Sequence, residues 1–160
     1  MKTLIITQPA KFACHKEIAK ALVNICGDNG IEASIYDYSV SKPPHIKYGE
    51  IKTIQPDFLI TLDCAGFDML NENDELSYNT FPFRIAHLLT RGAGYYRQEL
   101  LYQMNFSTFV YLPEKSSVDD CIKKRPNIAN WGTWNPEDLS SLNHWLTHFL
   151  EEAMLKNEPK

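Results

Sequence analysis

Glycine is scarce in this chain, seven residues in 160, and none falls in the loop after the first apolar run. That loop, Gln8-Pro9-Ala10-Lys11-Phe12, lacks the close-set glycines with which dinucleotide and triphosphate sites bring backbone amides against phosphate. Classical NAD(P), FAD and NTP binding are therefore not expected. Long apolar runs are missing too, since no stretch approaches the ~18 residues of a membrane-spanning helix. Met1-Lys2-Thr3 leads into the short apolar run 3–7 and not a long one, so no secretory leader is expected.

Cysteine is sparse and scattered. Cys14, Cys26, Cys64 and Cys121 form no C-x-x-C pair and have no His-rich neighbour, which speaks against a disulfide framework or a zinc ribbon. A reduced, cytoplasmic protein without a bound metal is expected. Basic charge is also short: 16 Lys and Arg against 20 Asp and Glu give a net charge of −4, and no nucleic-acid partner is expected. The local cluster Lys123-Lys124-Arg125 reads as the cationic last turn of a helix.

What remains is ordinary globular material, 44% hydrophobic and 22% charged. A chain of this length suits one domain; residues 1–154 are expected to form it and 155–160 to be a polar C-terminal tail. Residues 3–7 read as a buried strand and 14–26 as an amphipathic helix that Gly27-Asp28-Asn29-Gly30 stops. Residues 32–38 read as a second strand. Residues 39–49 read as a loop around Lys42-Pro43-Pro44, followed by a short helix over 48–54. Phe58 to Leu62 is the expected central strand.

Residues 69–79 are too polar for core and read as a loop at the sheet's carboxyl edge. Phe81 to Thr90 fits a helix or a strand, 95–104 a helix, and 108–112 a further strand. The segment 116–125 has helical dipole complementarity, and 127–134 is short and aromatic. Asn135-Pro136-Glu137-Asp138 predicts a helix start, with apolar residues lining one face to about 154. The alternation predicts a single three-layer α/β/α, Rossmann-like domain with a mostly parallel sheet of four to six strands.

The central strand runs into Asp63-Cys64-Ala65-Gly66-Phe67-Asp68, an acid, a small-residue turn and a second acid. Ligands of α/β sheets bind outside the carboxyl ends of the strands, so this turn predicts a site. Asp63, Gly66, Asn79, Arg84 and His87 are the candidate ligand-binding residues, with Asp63 and His87 the candidates for any catalysis. Structural alternatives stand beside these: Asp63 and the nearby Asp68 as turn acids bonding their own backbone, and His87 as a hydrogen-bonded core residue. Cys64 and Cys14 would need a nearby base or a helix N-terminus to act as nucleophiles. Trp131 and Trp134 either stack a sugar or base, or pack under the last helix.

The segments PDFLITLDCAGFDML, LSYNTFPFRIAHLL and MNFSTFVYL resemble the N-terminal Rossmann-like half of bacterial two-domain (GT-B) glycosyltransferases and related uncharacterised bacterial proteins. The matching positions are Asp63, Gly66, Ser77, Tyr78, Asn79, Arg84, His87 and Phe109. The resemblance implies a module that binds a sugar-like acceptor, or a protein partner supplying the donor-binding domain, without full catalysis alone. The opening MKTLIIT, the helix and IEASIYDY are also similar to flavodoxin-like quinone reductases. The alternative to a binding module without a cofactor is therefore a stand-alone enzyme, either a small transferase or, as that similarity implies, a flavodoxin-like reductase with FMN.

Overall fold

The computed structural model describes residues 1–66, 73, 77–92, 108–124 and 130–155. Six strands form one sheet: β1 (Lys2–Thr7), β2 (Glu32–Asp37), β3 (Phe58–Leu62), β4 (Arg84–Leu88), β5 (Thr108–Leu112) and β6 (Asn130–Thr133). Every pairing is parallel and the order is β2-β1-β3-β4-β5-β6. β3 is buried at every position, as a parallel strand covered on both faces must be, and this is why its sequence shows no polar alternation.

Helix α1 (His15–Asp28) follows β1 and α2 (Pro44–Ile54) follows β2. The short α3 (Ser77–Thr80) precedes β4, and α4 (Lys115–Lys124) joins β5 to β6. After β6 come a 3-10 turn at Leu139–Ser141, α5 (Leu142–Phe149) and a π-helical continuation at Leu150–Leu155. Ile5, Phe58, Ile60, Leu62 and Leu88 pack against α1 and α5 through Ile18, Leu22, Leu146 and Phe149. Leu4, Ile6, Leu59 and Ile85 face the other way, toward Tyr48 and Ile51 of α2. Val110 and Leu112 meet Val118 and Cys121 of α4. Helices on both faces of a parallel sheet make the expected three layers. The chain leaves β1 for β2 and returns to the other side for β3, so the switch point of the topology lies between β1 and β3.

One open alternative is resolved and two expectations are corrected. The ambiguous segment 81–90 holds a strand, because its apolar residues fill a sheet position closed on both faces. Pro44 opens α2 directly after extended Pro43, so the helix begins four residues ahead of the expected 48. Asn135-Pro136-Glu137-Asp138 does not start the last helix. The Asn135 side chain accepts from Glu137 N in a turn, Asp138 caps the 3-10 segment through Ser140 N, and α5 begins only at Leu142. The helix expected over 95–104 lies outside the described residues, as do Asp68 and nearly all of the polar stretch 69–76. Among the described residues, no helix is long and apolar enough to cross a membrane.

Candidate functional site

At the carboxyl end of β3, Asp63 and Cys64 both take left-handed backbone (φ 52° and 54°), two successive non-glycine residues in a conformation that single residues rarely adopt. The turn throws the Asp63 carboxylate inward. Its Oδ2 accepts from His15 Nε2 at 2.8 Å, its Oδ1 accepts from Thr90 N at 2.7 Å, and the Thr90 hydroxyl donates to the same carboxylate. His15, at the start of α1, is fully buried and stacks on Phe12. Its Nδ1 accepts from Gln8 N at 2.9 Å, which assigns the ring proton to Nε2. One carboxylate thereby ties the ends of β1, β3 and β4 together at the switch point.

The donor atoms of Cys14, His15 and Asp63 lie within 4.8 Å of one another, a set whose chemistry invites a metal ion. The hydrogen bonds oppose that use. A ligating imidazole keeps its proton on the nitrogen facing away from the metal, yet His15 Nδ1 faces an N–H donor, and both Asp63 oxygens already accept bonds. The group fits a hydrogen-bonded clamp. Nor is there an activated thiol: burial, then the Asp63 charge, raise the Cys14 pKa, and the same two causes hold the Cys64 thiol well above its usual range.

Of the residues singled out in the sequence, Asp63 and Gly66 come together and Arg84 and His87 do not join them. Gly66 (φ 82°) has a packing reason, since a Cβ there would meet the Tyr78 hydroxyl at 3.0 Å and the Tyr38 ring at 3.2 Å. Arg84 opens β4 opposite Phe58, at the amino edge of the sheet, about 13 Å of strand from the carboxyl edge. His87 is sealed inside the sheet, with Nδ1 on the Thr61 hydroxyl and its ring edge-on to Tyr78. Burial pushes its pKa down to about 3, and it is a core residue. Asn79 belongs to α3, and its side chain lies outside the described residues. Sequence reasoning missed His15 and Thr90, whose roles depend on a partner 48 and 27 positions away.

A cavity of about 960 Å³ opens elsewhere, bounded by β5, β6 and α5. The Tyr111 ring lies across Gly132, where a Cβ would come within 2.9 Å of it, so only glycine leaves the ring flat on the strand. Trp145 meets Tyr111 edge-on at 5.5 Å and stacks on Phe149, which makes an aromatic wall. Burial, then the Glu152 charge, raise the Tyr111 phenol pKa. Asn130, His144, His148 and Glu152 contribute polar groups, and all three tryptophans of the chain line the space. Trp134 also packs beneath α5 and donates to Leu89 O at 2.8 Å, so packing explains it first. The spacing His144-x3-His148-x3-Glu152 was the available sequence signal for this wall.

No family model matches the chain, and no curated protein matches it. Among solved structures, a 4-deoxy-L-threo-5-hexosulose-uronate ketol-isomerase complexed with a tartrate is similar at 14% identity and a TM-score of 0.38. The match covers 99% of this chain and 65% of that one, so this chain spans just under two thirds of its length. A likeness of that degree supports neither a shared fold nor a shared activity. The expected kinship with the N-terminal half of GT-B glycosyltransferases is corrected: no family model and no curated relative supports it.

Proposed function

We propose that the chain is a binding domain for a small, polar, sugar-like ligand, held in the cavity beside α5. The observation that carries this reading is the pairing of an aromatic wall (Tyr111 and Trp145) with Asn130, His144, His148 and Glu152 around one space of suitable volume. Aromatic faces stack the C–H face of a sugar ring, while amide, imidazole and carboxylate groups bond its hydroxyls. Binding without catalysis of its own is proposed because Asp63 and His15, the titratable groups at the switch point, are committed to each other. None of the four cysteines is joined in a disulfide and three are buried, which fits a reducing compartment, and we place the protein in the cytoplasm.

The test is intrinsic tryptophan fluorescence during titration with neutral hexoses, amino hexoses and their disaccharides. A saturable change with one site per chain is expected for at least one of them. A flat or unsaturable response across the set would remove the reading.

A second reading, a flavodoxin-like FMN enzyme, is favoured by the order β2-β1-β3-β4-β5 with its switch point between β1 and β3. The loop after β1 weighs against it. Lys11 N and Phe12 N both turn back to Gln8 O at 3.0 Å and are spent on the loop itself. A flavin absorbance band on the purified protein would decide for this reading.

A further inference from the structure

We infer that His144 and His148 hold one divalent transition-metal ion of the zinc, nickel and copper class at the wall of the cavity. The two residues stand one turn apart on α5, where side chains at i and i+4 have Cβ atoms about 5–6 Å apart. Their rings lie 5.3 Å apart at 71°, close together yet not stacked face to face. That separation allows both imidazoles to reach one ion at bond lengths of about 2.0–2.1 Å. Both side chains are exposed and both line the cavity.

Their environment is the reverse of that of His15. Among the described residues neither ring makes a hydrogen bond, so each keeps a nitrogen lone pair to offer. Glu152, one turn beyond His148, adds a carboxylate to the same wall and favours a cation there. Imidazole donors select zinc, nickel and copper over magnesium and calcium, which prefer oxygen. Two protein ligands leave coordination positions open toward the cavity, where water or a ligand hydroxyl completes the shell. The site does not depend on the sugar reading, and its test contains no sugar.

The experiment is calorimetric titration of the untagged, chelator-stripped full chain with zinc chloride, then nickel chloride, in wild type and in His144→Ala, His148→Ala, Glu152→Gln and Cys14→Ala. One equivalent of zinc per chain is expected. Either histidine variant should bind more than about tenfold more weakly, beyond the lower bound for losing an outer-shell partner. Glu152→Gln should weaken binding a few-fold and Cys14→Ala should leave it unchanged. The histidine positions are exposed, so metal-free melting midpoints of those variants should match wild type and separate lost binding from lost folding. Absent binding, binding that survives both histidine substitutions, or binding lost with Cys14→Ala would each overturn the proposal. The last outcome would move the ion to the Cys14, His15 and Asp63 cluster.

Discussion

His15 Nε2 and Asp63 Oδ2 meet at 2.8 Å across the crevice between β1 and β3, with both side chains sealed from solvent. Because Nδ1 of the same ring is held by Gln8 N and the same carboxylate is held by Thr90, the contact belongs to a network spanning three strand ends. Replacing Asp63 leaves the buried His15 Nε2–H and the half-buried Thr90 N–H without their acceptor.

Asp63→Ala should therefore cost on the order of 3 kcal/mol. In a chain of this size that lowers the melting midpoint by roughly 6–12 °C. His15→Ala should also destabilise, and the double variant should lose clearly less than the sum of the two, since both remove one interaction. Urea unfolding of the four proteins measures this. Additive losses would mean that the two residues do not act as a unit.

Gly132→Ala places a Cβ against the Tyr111 ring at 2.9 Å and should tilt that ring away from the strand. A loss of roughly 1–3 kcal/mol is expected from this overpacking. The same change should weaken sugar binding, because it disturbs the aromatic wall. An unfolding curve and a sugar titration on one preparation read both effects.

His87 gives the fold an acid sensitivity. Its folded pKa, lowered by burial to about 3, lies below the ordinary value of 6.5. Above that ordinary value both folded and unfolded forms are neutral. As the pH falls below it, the unfolded chain binds a proton that folded His87 refuses until about pH 3. Stability then drops with acidification, by at most about 1.4 kcal/mol per pH unit from this residue. His87→Leu should flatten that slope between pH 6 and pH 4, roughly the window the shift defines. An unchanged slope would place the sensitivity elsewhere.

The strands were legible wherever burial on both faces left an unbroken apolar run, as in Leu4-Ile5-Ile6 and Phe58 to Leu62. The last helix was misplaced because Asn135 and Asp138 spend their side chains on turns before Leu142, a local competition the pattern does not reveal. Asp63 was found because a strand running into an acid and a glycine turn is local information. His15 was not, because its meaning lies in a carboxylate that the fold brings from a distant strand. His87 and Arg84 looked like site residues only while the direction and depth of β4 were unknown.

The most direct measurement of the central claim is the shift of the three indole N–H resonances during titration with the sugar that gives the strongest fluorescence response. Trp131 and Trp145 line the cavity, whereas the Trp134 indole donates to Leu89 O and packs into the core beneath α5. Saturable shifts at Trp131 and Trp145, with a smaller one at Trp134, are the predicted result. Shifts confined to the backbone amides of Cys14, Thr90 and Arg91 would contradict it and return the ligand to the carboxyl edge of the sheet.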